Sequence, residues 1–206
     1  MFEYRLPTLL NLTLRTFFVR LFYNYENLFG EGIFFCLKPF YLHHNTNSEK
    51  SGVLLNHKSL FNTNEYMSGF ALGIIIHSES IDPDKSEKTK MIISSVLGSV
   101  GDTLVYRIIL PVMVLFALNI FFISNANLPA LAFFLIITEL FLFNIFNFAI
   151  RFYGLKAGLR QGVASLQIFK SQKFFNLVKA LKLTRNLLAL SLVIILLTRI
   201  NILLFF

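Results

Sequence analysis

The sequence predicts an all-α membrane protein in which amphipathic, interfacial helices at the amino terminus are followed by about three transmembrane helices. Of 206 residues, 55% are hydrophobic and 25 are phenylalanine, with a mean hydropathy of +0.65. That is more apolar material than one soluble core of this size buries. Residues 103–123, 128–150 and 187–206 are each apolar over about 20 residues, the length of helix that crosses a bilayer. Charge placement gives the orientation. Residues 1–102 carry nine Lys/Arg against ten Asp/Glu, whereas 151–185 carry eight basic residues (Arg151, Lys156, Arg160, Lys170, Lys173, Lys179, Lys182, Arg185) and no acid. An uncompensated basic segment between two spans is expected in the cytoplasm beside anionic lipid, and its place between spans argues against nucleic acid as a partner.

The amino-terminal region, 1–102, precedes the spans. Met1 to Arg20 lacks a continuous apolar run and a small-residue cleavage site, so it is not read as a signal peptide. Between Leu6 and Tyr23, Thr8, Asn11 and Arg15 share a narrow stripe while Leu9, Leu10, Phe17, Phe18 and Leu21 supply apolar surface, the pattern of a helix lying in the membrane interface. Gly30 to Leu42 is apolar but too short to span. His43 to Lys58 and Ser78 to Lys90 are polar and read as exposed loops, with a short apolar helix between them over Leu60 to Ile76.

The hairpin, 103–150, turns at Ser124 to Asn127, and Pro129 stands in the first turn of its second helix, where a missing N–H costs nothing. A hairpin returns the chain to its side of departure, so 1–102 and the basic, glycine-bearing region 151–186 share the cytoplasmic side. The last span, 187–206, then leaves the carboxyl terminus outside, which makes a multi-pass protein of the cytoplasmic membrane.

Soluble-enzyme signatures are absent: there is no GxxxxGK[ST], HExxH, CxxC or GxSxG. No cofactor is called for, and no catalytic residue is assigned. His43, His44, His57 and His77 have no metal-ligand spacing with a cysteine or acidic partner. The single cysteine, Cys36, reads as a small packing residue. Asp102, after Gly101 at the mouth of the first span, can bind a substrate hydroxyl or a cation, or cap a helix N-terminus. Pro111 interrupts the same helix, as in helices that line transporter sites and in functionless kinks alike. Glu139 is expected mid-span, where a charge costs roughly 2.5–3.5 kcal/mol, so it needs a partner. That partner is Arg107; alternatively, Arg107 snorkels to the interface and Glu139 meets a second subunit or is protonated. Gly154, Gly158 and Gly162 recur every four residues and open one helix face to another backbone or, alternatively, to a ligand.

In collinear order, these pieces resemble the IID subunit of the mannose/fructose/sorbose family of phosphotransferase permeases. The matching residues are Arg15, Asn24-Tyr25-Glu26, Gly32, Pro39, then His57 with Phe61-Asn62-Thr63, Leu72-Gly73, Glu79, Lys90, Gly101-Asp102, Pro111, and Arg151-Phe152-Tyr153-Gly154 with Gly158 and Gly162. The likeness runs from about residue 15 to 165. Glu65 stands where the family has proline, Ser80 replaces the second acid of a Glu-Glu pair, and Ser94 to Ser99 replaces an apolar Met-Gly-Pro-Leu-Ala-Gly run. The family's region between the glycine helix and the last span is reduced. The resemblance implies a non-catalytic subunit that pairs with a IIC membrane subunit to bind and translocate a hexose-type sugar, with cytoplasmic IIA and IIB proteins relaying phosphate to it. It implies Asn62, Asp102 and Glu79 as sugar-binding residues. The alternative is a divergent IID-like subunit with a regulatory or scaffolding role and no transport.

Overall fold

In the computed structural model, the described residues are 5–44, 57–82, 86–124 and 129–204, and among them every regular element is helical. The helices are α1 (Leu6–Thr16), α2 (Gly30–His44), α3 (Ser68–Ile81), α4 (Ser86–Gly101), α5 (Leu110–Ile123), α6 (Pro129–Gln161) and α7 (Gln172–Leu204). Short 3₁₀ turns occupy Val19–Phe22, Glu65–Met67 and Gly162–Lys170, and a π-helical stretch, Asp102–Ile109, joins α4 to α5. Among the described residues, three helical stretches are long and apolar enough to span a membrane: Glu87–Ile123, Pro129–Lys170 and Gln172–Arg199.

Two compact units emerge, 1–102 with 147–168, and 103–146 with 169–206. They differ from the four consecutive regions drawn from the sequence, because the helix begun at Pro129 does not end at 150 but continues to Gln161. The predicted loop 43–58 falls largely outside the described residues, as does most of the hairpin turn.

The first unit is built on α3, which is buried on nearly every side: Leu72, Ile74 and Ile75 are wholly inaccessible. Such all-round apolarity suits a central helix. Residues 151–159 of α6 lie against it at backbone contact. A methyl group added at Gly158 would come 2.8 Å from the backbone nitrogen of Ile74, and one at Gly73 would come 2.5 Å from the carbonyl of Leu155. The four-residue glycine spacing is therefore used for helix packing. The helix then breaks at Gly162, whose φ of +55° disfavours any side chain.

Arg151 belongs to this interface. The sequence placed it in the basic loop beside lipid, but it is 3% exposed. Its guanidinium donates to Asn147 Oδ1 (2.6 Å), the Thr16 carbonyl (2.5 Å) and Ser68 Oγ (2.8 Å), and lies over the Phe17 ring. These acceptors satisfy a buried cation that would otherwise be expensive. α1 is accordingly inverted relative to a soluble helix. It buries Leu12, Thr13 and Thr16 and exposes Leu6, Leu10, Leu14 and, two residues past its end, Phe18, which suits an apolar medium outside.

In the second unit α5 and α7 run parallel, tied by polar groups at successive levels. Arg185 donates to the Arg107 carbonyl (2.8 Å). Asn119 donates to the Leu188 carbonyl (3.0 Å) and accepts from Ser191 Oγ (2.7 Å), and Arg199 donates to the Phe122 carbonyl. The first of these answers Pro111, which has no N–H to offer the carbonyl four residues earlier. Among the described residues Arg107 makes no ion pair with Glu139. Residues such as Phe133, Phe134 and Phe141 of α6 are more than 60% exposed, as in a chain whose solvent is lipid.

Replacing Gly158 by Ala forces the α3 backbone aside and is expected to cost about 1–3 kcal/mol, read as a lower melting temperature in mild detergent. Gly98→Ala, where the added carbon would have only an ordinary 3.9 Å contact and alanine is the better helix former, should not lower that temperature.

Candidate functional site

A cavity of about 430 Å³ in the first unit is lined by Leu60, Asn62, Lys90, Met91, Ser94, Ser95, Gly98, Ser99 and Asp102. One wall is a helix face. Residues 90, 94 and 98 recur every four positions along α4, with 91, 95 and 99 beside them, and Asp102 follows one turn later in the π-helical stretch. The polar Ser94-Ser95-Val96-Leu97-Gly98-Ser99 segment thus faces the cavity with its serines, while Leu97 is buried behind them.

The opposite wall is the segment 60–64, which has no ladder of its own and is held by its neighbours. Phe61 donates its N–H to the Asn27 carbonyl (3.2 Å) and its carbonyl accepts from Phe29 (2.9 Å). The loop making these bonds is shaped by Asn24, whose Oδ1 accepts from the N–H groups of Glu26 (3.0 Å) and Asn27 (2.9 Å), an Asx-type turn. With the Phe61 side chain anchored in the core, alternation along the segment turns Asn62 outward to the cavity. Ser94 Oγ fastens the segment to α4 by donating to the Asn62 carbonyl.

Asn62 and Asp102, both expected at a sugar site, are therefore brought to one cavity. Asp102 is not at a helix N-terminus, because helix runs unbroken from Glu87 to Ile123, so the capping reading does not apply. Its Oδ1 accepts from Asn64 Nδ2 (2.8 Å), while Asn64 Oδ1 accepts from the Tyr66 N–H (3.0 Å). Asn64 thus aims the carboxylate, a role invisible in the sequence because Asn64 occupies an unspecified position of its motif. The α4 serines and Lys90 were likewise not assigned to a site. Their four-residue spacing was the available signal.

Glu79 does not line the cavity. Its carboxylate is buried, with Oε1 2.9 Å from His57 Nε2 and side-chain exposures of 5% and 0%. The two atoms are close enough for a hydrogen bond but are not aligned as one, and His57 Nδ1 has no partner. Despite the adjacent carboxylate, burial pushes the His57 pKa down to about 3, with the Lys90 charge acting in the same direction, so the imidazole is neutral. Burial also pushes the Cys36 thiol up to about 12, consistent with a packing residue. Among the described residues no three His, Cys, Asp or Glu side chains gather as a metal site.

The arrangement offers a neutral ligand what its hydroxyls need. Asn62 brings donors and an acceptor, Asp102 brings carboxylate oxygen, the serines bring hydroxyls that serve both ways, and Lys90 brings an ammonium.

A family model described as PTS system mannose/fructose/sorbose family IID component matches residues 7–202. The match extends past both ends of the stretch in which the motifs were read. No curated protein matches the chain. Among solved structures, the chain is similar to one in the cryo-electron microscopy complex of the mannose transporter ManYZ with microcin E492. The TM-score is 0.64 at 22% identity, over 93% of this chain and 70% of that one. A second, described as a membrane protein, gives a TM-score of 0.75 at 19% identity, over 93% and 71%. At these identities the likeness concerns the fold.

Because the folded pKa of His57 lies below its unfolded value near 6.5, the unfolded chain takes up a proton first as pH falls. The contribution of His57 is therefore complete above about pH 6.5 and is lost progressively toward pH 3. Between pH 6.5 and 5 the loss is roughly 2 kcal/mol. The melting temperature should fall over that interval, and His57→Gln should remove that part of the pH dependence.

Proposed function

The chain belongs to the IID component of the mannose/fructose/sorbose phosphotransferase family, and from that premise we propose that it binds a hexose-type sugar in the Asn62/Asp102 cavity. It does so together with a IIC membrane subunit and helps move the sugar inward across the cytoplasmic membrane. IIB, recharged by IIA, then phosphorylates the sugar. The observation that carries this reading is the convergence of Asn62, Asp102, Lys90 and the α4 serines on one cavity. The described residues provide a polar binding surface and no activated nucleophile. The subunit therefore contributes recognition and passage, while its partners contribute the phosphoryl transfer. The basic residues at the start of α7 face anionic lipid headgroups on the cytoplasmic side, where each lysine or arginine near the surface contributes about 1 kcal/mol.

With a IIC partner and the phosphocarriers present, mannose is the first sugar to test. Asn62→Ala or Asp102→Asn should reduce uptake per assembled complex at least tenfold, while membrane insertion and association with the partner persist. Normal uptake in both variants would remove these residues from the path. Absence of uptake in the wild type across a panel of hexoses would favour the non-transporting, regulatory reading.

Cysteines introduced at positions 173 and 179 should react with a membrane-impermeant maleimide only after the cytoplasmic face is opened. Labelling from outside intact cells would reverse the topology.

A further inference from the structure

The turn that opens α3 reaches toward three separate elements, and one of its links ends on the cavity. Asn64 caps the 3₁₀ turn Glu65–Met67, its Oδ1 accepting from the Tyr66 N–H at 3.0 Å. With the amide oxygen spent there, the NH₂ group is left to donate to Asp102 Oδ1 at 2.8 Å. The amide lies this close because residue 101 is glycine: a methyl group on Gly101 would come 2.4 Å from both Cβ and Cγ of Asn64. Glu65, 8% exposed, pairs with Arg20 Nη1 of the Val19–Phe22 turn at 2.5 Å. At the far end of the turn Ser68 Oγ donates to the Glu65 carbonyl at 2.7 Å and accepts from Arg151. Of these residues Asp102 alone lines the cavity.

We propose that Asn64, Gly101, Glu65 and Arg20 are positioning residues for Asp102. The Arg20–Glu65 pair holds the turn, the turn aims the Asn64 amide, and Gly101 leaves the space in which that amide meets the carboxylate. Aspartate caps such a turn as well as asparagine does, but an ionised carboxylate has no hydrogen to give. The cap serves the fold, and the amide hydrogen serves the site. A hydrogen bond to a carboxylate is directional and among the stronger ones, so fixing one oxygen of Asp102 fixes the direction in which the other meets a ligand hydroxyl. The inference deepens the sugar-cavity reading and rests on it for the identity of the ligand.

Two readouts test it. The first needs no ligand and is the melting temperature of the detergent-solubilised complex with the IIC subunit. Asn64→Ala and Asp102→Ala together should lower it by less than the sum of their separate effects, as for groups in direct contact. Gly101→Ala should lower it in the wild type but not beside Asn64→Gly, which removes the side chain the added carbon would strike. The second readout is mannose uptake by membranes holding that complex and the phosphocarriers. Asn64→Asp keeps the cap and the shape, and at pH 7.5 should raise KM about tenfold, the loss of one hydrogen bond to a charged group. At pH 5.5 a proton shared by the two facing carboxylates restores a donor, and KM should return toward that of the wild type measured at the same pH. Arg20→Gln and Glu65→Gln should raise KM about threefold, and Arg20→Lys should restore it. Because the Arg20 side chain is 68% exposed, the gap between wild type and Glu65→Gln should close as salt rises from about 0.05 to about 0.5 M. Additive melting temperatures, or a KM for Asn64→Asp equal to that of the wild type at pH 7.5, overturn the positioning of Asp102. Non-additive melting temperatures with no hexose uptake by the wild type uphold that positioning and overturn the sugar reading.

Discussion

The first unit depends on a backbone-to-backbone contact between α3 and the glycine face of α6. Gly73 and Gly158 approach so closely that a single added carbon on either would collide with the opposing main chain. Lipid provides no hydrophobic drive between apolar helices, so close van der Waals approach and polar bonds must supply the adhesion. Arg151 adds the second part. From the first turn of the contact it reaches the end of α1 through the Thr16 carbonyl and the start of α3 through Ser68. One side chain thereby fixes three helices, and its charge is tolerated because oxygen acceptors and the aromatic faces of Phe17 and Tyr66 enclose it.

The cavity is a consequence of that frame. With α3 in place, the 3₁₀ turn Glu65–Met67 and the extended segment before it have a fixed starting direction, and α4 packs back across them. The serines of α4 then meet Asn62, and Asn64 meets Asp102 where the helix passes into its π-helical stretch. Extra residues per turn in such a stretch re-aim side chains without ending the helix. The carboxylate at its first residue is displayed on the cavity and held by an amide. Site and fold share few residues. Those that bury, such as Phe61 and Leu97, alternate with those that face the cavity.

In the second unit polar atoms again do what apolar surface cannot. Asn119 is 5% exposed within an otherwise apolar helix and spends its amide on two carbonyls and a serine hydroxyl. Arg185 bonds the carbonyl left over by Pro111. The Arg107 carbonyl is a main-chain acceptor that hydrocarbon would leave unsatisfied.

What the sequence determined by itself was everything that local chemistry or one-dimensional order encodes. Helicity and membrane residence follow from long apolar runs, helix packing from glycines at four-residue spacing, and family membership from motifs in a fixed order. Asn62 was a site candidate only through the family resemblance, whereas Asp102 was one also because a carboxylate at the mouth of an apolar span is conspicuous. Tertiary structure alone decided the rest. It put Arg151 inside although its neighbours in sequence are basic and exposed, since burial depends on acceptors contributed from residues 16, 68 and 147. It turned Glu79 away from the cavity toward His57, gave Asn64 its carboxylate, and left Glu139 without Arg107. These outcomes are set by partners distant along the chain, and the energy of a buried polar group is decided by the partner it meets.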